Sequence, residues 1–229
     1  FFSVLAHDLK TPFNIMMGYA DLIDLRAENL SREKLVEMAR SISSSSHNLF
    51  QLLEDLLAWG QSQMDTIVVK QEFVPSKEIF ESGVRNLLES AQSKNITIEL
   101  LHDNIELFVD REMMIVVIRN LVSNAVKFTP AQGRIVVKAE TTRNGSADGE
   151  IVISVSDTGV GMSEAKIRQL FQIQTNDSTV GTDGESGTGL GLLLCKEFVE
   201  NQGGQINVSS KGGEGTTFNI TLPLAPKTQ

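Results

Sequence analysis

Apolar positions fall into two regimes along the chain. From Leu5 they recur at Leu9, Pro12, Met16, Tyr19 and Ile23, alternately four and three residues apart. That spacing predicts a helix with a coiled-coil seam. The pattern breaks around Glu28–Ser31, where Ser31 is a fitting N-cap. A second seam then runs through Leu35, Met38, Ile42, Ser45, Leu49, Leu52, Leu56 and Trp59. Two helices joined by a short polar turn predict an antiparallel hairpin. Two helices cover such seams poorly, so a four-helix bundle made by a homodimer is expected.

Beyond residue 62 the pattern changes. Residues 63–74 read as a connector, with a short strand at Ile67–Lys70. Residues 75–229 mix β-branched runs with helical periodicity. The spacing predicts a helix from Pro75-Ser76 to Lys94 and strands at Ile96–Leu101 and Glu106–Val109. A long helix is expected over Arg111–Phe128, then strands at Arg134–Thr142 and Glu150–Ser156. A glycine-rich stretch (157–188), a helix over Gly189–Asn201 and a hairpin turned at Lys211-Gly212-Gly213 complete the chain. The fold class expected is α+β, a helical hairpin (1–62) followed by an α/β sandwich (75–229) with helices on one face.

Length and charge narrow the function. The 229 residues can bury a sizeable core, and 41% hydrophobic content excludes disorder throughout. A net charge of −9 argues against nucleic-acid binding and adsorption to anionic lipid. No apolar run reaches the length of a membrane span. One cysteine, Cys195, excludes a disulfide scaffold and reads as a buried thiol beside Leu192, Leu193 and Phe198. The opening Phe1-Phe2-Ser3 suggests a piece of a longer protein.

Candidate chemistry sits in both regions. His7 lies two residues past a seam position, which puts it on the outer face with Asp8 beside it and Thr11 one turn on. A carboxylate can hold one ring nitrogen and free the other as a nucleophile; the same pair also fits a solvated surface histidine. Pro12 removes a backbone donor and frees the Asp8 carbonyl, a bend point. His47 has no adjacent acid, and His102 ends a strand. On the Arg111–Phe128 helix, Asn120, Asn124 and Lys127 share one face, which suits Mg²⁺ and phosphate or a merely polar surface. Asp157, at a strand end beside Gly159 and Gly161, can accept from the exocyclic amine of adenine. Gly187-Thr188-Gly189-Leu190-Gly191 opens a helix, where N–H groups suit phosphate. Seven of the 18 glycines lie between 159 and 191.

Taken in order, these residues resemble the catalytic core of a sensor histidine kinase of two-component signalling. His7-Asp8-Leu9-Lys10-Thr11-Pro12-Phe13 is similar to the phosphoacceptor box of that family. Asn120 to Thr129 resembles its N box, Asp157 to Met162 its first glycine box, and Gly187 to Leu192 its second. The resemblance implies a Bergerat-type ATPase sandwich and ATP with Mg²⁺ as cofactors. It implies His7 as phosphoryl acceptor, Asp8 as its general base and Thr11 as the group positioning water in a reverse, phosphatase reaction. It further implies Asn124 on Mg²⁺, Asn120 and Lys127 on the phosphates, Asp157 on adenine, and Val160–Thr188 as an ATP lid. The implied partner is the receiver domain of a response regulator, with no nucleic acid and no direct membrane contact. A cytoplasmic location follows, with an inner-membrane anchor open for the longer protein. One departure stands out: the family usually carries two phenylalanines three apart after the first glycine box, whereas Phe171 is followed by Ile173. Two rivals are a clamp ATPase of the chaperone or DNA-repair type, which needs a glutamate in the N-box helix where Glu112 is the nearest acid, and a dimeric scaffold that binds nucleotide without turnover.

Overall fold

The structure is a computed structural model that describes residues 2–63, 69–102, 105–142, 149–171, 181–182 and 191–224; side chains of 2–8, 11, 47–48, 51–52 and 54–63 lie outside the description. It divides into two compact units, one built from the N-terminal helices and one from the chain beyond them.

In the first unit α1 (Phe2–Arg26) and α2 (Arg32–Gln63) are joined by a 3-10 turn at Ala27–Asn29. Ser31 starts α2: its Oγ accepts from the Lys34 N–H at 3.3 Å and its carbonyl from the Leu35 N–H. A backbone N–H bond, and after it the same hydroxyl, hold the Glu33 carboxyl below its ordinary value. The described part of each expected seam faces inward; Leu5, Leu52, Leu56 and Trp59 have side chains outside the description. Leu9, Pro12, Met16, Tyr19 and Ile23 are half-buried on α1, as are Leu35, Met38, Ile42 and Leu49 on α2, and Ser45 is buried. α1 continues unbroken through Pro12. Phe13, Met17, Leu25 and Phe50 stay exposed on this single hairpin.

The second unit is a sheet covered by helices. Five strands run in the order β2-β4-β5-β7-β6: β2 (Thr97–His102), β4 (Arg134–Thr142), β5 (Glu150–Asp157), β7 (Gly215–Pro223) and β6 (Gln205–Lys211). The β2–β4 pair is parallel and the other pairs antiparallel. Alternate residues explain the single covered face. Ile151, Ile153 and Val155 of β5 are buried, with Ile135, Val137 and Ala139 of β4 and Phe218, Ile220 and Leu222 of β7, while the residues between them carry Ser154, Asn219 and Thr221. Over that face lie α3 (Ser76–Val84), α5 (Arg111–Phe128) and α7 (Gly191–Glu200), with α5 packed between the other two. Ile79, Phe80, Met114, Ile118, Leu121 and Leu194 fill the interface. Cys195 is fully buried, its Sγ 3.8 Å from the Val117 carbonyl, which makes it part of the α5–α7 contact.

Three elements differ from the sequence expectation. Of the strand expected at Ile67–Lys70 only Val69 and Lys70 are described, and they are not in a strand; the strand next to them is Gln71–Pro75 (β1), pairing antiparallel with β3 (Glu106–Asp110) in a two-stranded ribbon. Residues 64–68 lie outside the description. β1 is legible only through its partner, since a five-residue ribbon strand ending in proline carries little local signal. The single helix expected up to Lys94 is interrupted by a 3-10 turn at Arg85–Leu87 before α4 (Leu88–Ser93), just past Gly83, a poor helix former. Inside the glycine-rich stretch a short helix, α6 (Glu164–Gln169), starts at Ser163, whose Oγ accepts from the Lys166 N–H. Glycines on both sides hid it.

Candidate functional site

The site is assembled where β5 ends beside the C-terminus of α5. Asp110 caps the N-terminus of that helix, its Oδ1 accepting from the Met113 N–H at 3.2 Å. The apolar positions Met113, Met114, Val117, Ile118, Leu121, Val122 and Ala125 then fix which face is buried. Asn120, Asn124 and Lys127 are left half-buried at its margin. Asn120 Nδ2 donates to the Val116 carbonyl at 3.1 Å, which turns Oδ1 toward the first residue of α7. A Cβ at Gly191 would lie 2.8 Å from that oxygen, so the helix start approaches Asn120 only because residue 191 is glycine. The Asn124 side chain makes no hydrogen bond among the described residues. Lys127 Nζ sits 4.8 Å from the centre of the Phe128 ring, and Lys166 Nζ of α6 lies 5.9 Å from it.

Asp157 is the last residue of β5. Its Oδ1 accepts from the Gly159 N–H at 2.8 Å and the Thr216 N–H at 3.2 Å. Its Oδ2 has no hydrogen bond among the described residues. Burial pushes this carboxyl above its ordinary value, and the two N–H bonds pull against that. The chain then crosses the end of α5, with the Val160 N–H bonded to the Phe128 carbonyl at 3.1 Å. That crossing is close: a Cβ on Gly159 would meet both Asp157 Oδ1 and the Phe128 carbonyl at 2.6 Å. At Gly161 φ is +64° and the chain presses on the Lys211 carbonyl. The β6–β7 turn completes the floor, the Gly213 N–H donating to the Val160 carbonyl at 2.7 Å and the Met162 N–H to Ser210 Oγ at 2.9 Å.

A half-buried carboxylate with one free oxygen beside a backbone cleared of side chains can accept a hydrogen bond from a flat amine-bearing base. Two amides and a lysine along one helix can take a polyphosphate. Asn120, Asn124, Lys127, Asp157, Gly159, Gly161 and Gly191 therefore all fall in the α/β unit around the α5 margin and the end of β5. Gly187, Thr188, Gly189 and Leu190 lie outside the described residues. His7, Asp8 and Thr11 lie on α1, with side chains outside the description.

Sequence reasoning missed three contributors. Thr216 supplies the second N–H to Asp157 and is 59 positions away in the chain, so no local pattern marks it. Phe128 lends a ring and a carbonyl. Lys94 is buried behind α5, where its Nζ donates to the carbonyls of Val126 and Lys127. A lysine before Asn95, which holds a positive φ at the end of α4, reads from sequence only as a turn residue.

A family model described as histidine kinase-, DNA gyrase B- and HSP90-like ATPase matches residues 109–226. A second, the His Kinase A phospho-acceptor domain, matches residues 1–64. The chain belongs to the sensor histidine kinase family. Among relatives of this kinase core, Histidine protein kinase DivJ of Caulobacter vibrioides is 30% identical over 231 residues, covering 99% of this chain and 38% of DivJ. Autoinducer 2 sensor kinase/phosphatase LuxQ of Vibrio parahaemolyticus is 29% identical over 228 residues, covering 98% of this chain and 26% of LuxQ. The chain thus spans well under half the length of either relative. The fold matches that of histidine kinase ThkA, solved in complex with response regulator protein TrrA, with a TM-score of 0.69 at 19% identity over 98% of this chain and 61% of that one.

Membership of this ATPase family gives the kinase core ATP as its nucleotide. The donor type fits Mg²⁺: an amide oxygen such as that of Asn124 is a hard ligand of the kind that joins phosphates and water around that ion. Among the described residues no cluster of three His, Cys, Asp or Glu could cage a metal. No helix among them is long and apolar enough to cross a membrane.

Proposed function

We propose that this chain is the ATP-dependent catalytic core of a protein histidine kinase that phosphorylates His7 and then passes the phosphoryl group to an aspartate in the receiver domain of a response regulator. Asp157 Oδ2 accepts from the exocyclic amine of adenine, and the glycine-cleared backbone at Gly159 admits the base. Asn120, Lys127 and the glycine run Gly187–Gly191 with Thr188 and Leu190 hold the phosphates. Asn124 contributes an oxygen to Mg²⁺, which when bound neutralises phosphate charge. In the transfer, a ring nitrogen of His7 forms a bond to the γ-phosphorus as the bond to the β–γ bridging oxygen breaks, and ADP leaves with that electron pair. Asp8 takes the imidazole proton. Catalysis of this kind is positioning and charge stabilisation.

The observation that carries this reading is the Asp157 carboxylate, fixed by Gly159 and Thr216 with one oxygen free, in a chain that also holds the His7-Asp8 helix. The apolar residues left exposed on the hairpin, among them Phe13, Met17, Leu25 and Phe50, support a homodimer through α1 and α2. The receiver-domain partner is supported by the fold shared with ThkA, solved with a response regulator, and the use of Thr11 in a phosphatase reaction by the likeness to the sensor kinase/phosphatase LuxQ; use of ATP sets a cytoplasmic location. The boundaries 1–62 and 75–229, with a connector between, stay the working division for cloning. The test is incubation with Mg·ATP and measurement of protein-bound phosphate. Phosphate lost in acid and stable in alkali, and absent from His7→Ala, is expected. Equal labelling of His7→Ala would end the assignment of the nucleophile, and nucleotide binding without any phosphohistidine would favour a scaffold.

A further inference from the structure

Three residues stand in one row across the end of the sheet that carries the base pocket. Asp157 of β5 lies opposite Thr216 of β7, and Thr216 lies opposite Ser210 of β6. Each keeps the phase of the buried positions on its own strand (Ile153 and Val155, Phe218 and Ile220, Ile206), so all three lie on the helix-covered face. Asp157 and Thr216 belong to the site already described, whereas the reaction as described does not use Ser210. Its hydroxyl nevertheless joins three segments. Oγ accepts from the Met162 N–H of the first glycine box at 2.9 Å and donates to the Gly215 carbonyl at 2.8 Å, and Thr216 Oγ1 lies 2.9 Å away. A serine hydroxyl has one proton and two acceptor sites. A carbonyl can only accept, so the Ser210 proton goes to Gly215, and Thr216 is the donor to Ser210. One side chain thus ties the chain just past Gly161 to Gly215-Thr216, where β7 begins. Glycine at both positions lets these segments meet. Their φ angles are +64° and +97°, and a Cβ at Gly161 would run into the Lys211 carbonyl, one at Gly215 into the Asp157 carbonyl.

We infer that Ser210 is a positioning residue for base recognition: it holds Thr216 against the end of the first glycine box, so that the Thr216 N–H stays on Asp157 Oδ1 and Oδ2 is presented to the base. The inference rests on the reading of Asp157 as the acceptor of the adenine amine. Two N–H groups fix Asp157 Oδ1, that of Gly159 at 2.8 Å and that of Thr216 at 3.2 Å. The second is the longer bond and the one that Ser210 supports. Ser210 stands two strands from Asp157, about 10 Å at ordinary strand spacing, so it acts through Thr216 and not on the amine. Without its hydroxyl, the Met162 N–H and the Gly215 carbonyl lose their side-chain partner, and the Thr216 hydroxyl is released to turn. The start of β7 can then draw away from the carboxylate. The loss falls on the bond to the amine, and a hydrogen bond to a charged group is strong enough that weakening it should cost about tenfold in affinity.

The experiment uses the whole chain and compares the Kd of Mg·ATP with that of Mg·purine riboside triphosphate, which lacks the exocyclic amine of adenine. A hydroxyl that merely stabilised the fold would, when removed, weaken both nucleotides alike. Ser210→Ala should raise the Kd of ATP about tenfold and leave that of the amine-free nucleotide within about twofold, so the preference for the amine falls by nearly the same factor. KM for ATP in His7 phosphorylation should rise with Kd, and kcat should stay nearly unchanged. Ser210→Cys, similar in shape with a weakly bonding thiol, should shift the preference the same way and serves if Ser210→Ala does not fold. Ser209 is exposed on the opposite face of β6, and Ser209→Ala should bind both nucleotides as the parent does. Asp157→Ala is run beside them and should lose the preference. If it does while Ser210→Ala and Ser210→Cys keep the parent's preference, the positioning role is overturned and the base site stands. Equal weakening of both nucleotides by Ser210→Ala, with a lower Tm, would reduce Ser210 to a structural link and also overturn it. A parent without preference for the amine, or an Asp157→Ala chain that keeps it, would end the site reading itself, and the positioning role with it.

Discussion

Gly159→Ala is the substitution on which the geometry of the base pocket makes its sharpest statement. A Cβ there would lie 2.6 Å from Asp157 Oδ1 and 2.6 Å from the Phe128 carbonyl, and real Cβ atoms essentially never approach below 3.0 Å. Neither oxygen can step aside freely. The Phe128 carbonyl accepts from the Val160 N–H at 3.1 Å, and Asp157 Oδ1 holds the N–H groups of Gly159 and Thr216. Relief means moving the carboxylate or opening the crossing over α5. Overpacking of this kind costs about 1–3 kcal/mol in stability. A carboxylate displaced by several tenths of an ångström also loses its bond to the adenine amine, about 1.5–3 kcal/mol for a charged acceptor, or about 10- to 100-fold in Kd. Gly212 is the control: a Cβ there meets nothing within 4 Å, so Gly212→Ala should bind as the parent. Calorimetric titration with Mg·ATP reads the affinity, and circular dichroism confirms the fold. A folded Gly159→Ala chain binding ATP within about twofold of the parent would refute the pocket.

Three further outcomes follow from the same contacts. The free Asp157 carboxyl is raised above its ordinary value of 3.8 by burial, whereas the adenine amine needs it ionised. ATP affinity should therefore rise with pH through that raised value and level off above it, and Asp157→Asn should flatten the profile. The same carboxyl favours the folded state while protonated, so its contribution to stability is complete below its unfolded value and lost as pH rises through the folded one; melts of parent and Asp157→Asn across that window check the sign. Gln202 is buried and takes the Asp110 N–H on its Oε1 at 2.7 Å while donating to the Phe198 carbonyl at 2.8 Å. Gln202→Leu should cost about 1–3 kcal/mol, seen as a lower Tm, by leaving that N–H without a partner.

The sequence reveals most where periodicity is long. The seams of α1 and α2 and the whole of α5 are legible because many apolar positions repeat with one period; the structure buries that face of α5 and half-buries the described seam residues of α1 and α2. The glycines of these boxes stand out because Gly159 and Gly161 lie where backbone crosses backbone and Gly191 where the start of α7 meets the Asn120 side chain. What is hidden is held by distant partners. β1 exists through its ribbon with β3, Thr216 reaches Asp157 across the β5–β7 ladder, and Lys94 reaches the end of α5. In each case the local residues fit a loop equally well, and only the long-range contact decides. α6 is lost for a different reason: six residues with one serine cap are too short to stand out among glycines.

Dividing the reaction between an acceptor helix and a nucleotide unit has one direct test. Binding of Mg·ATP and phosphate incorporation are measured side by side on the parent, His7→Ala and Asn124→Ala. His7→Ala should bind ATP as the parent does and take up no phosphate, while Asn124→Ala should lose binding and labelling together. Phosphate on His7→Ala, or full labelling of Asn124→Ala, would contradict the account.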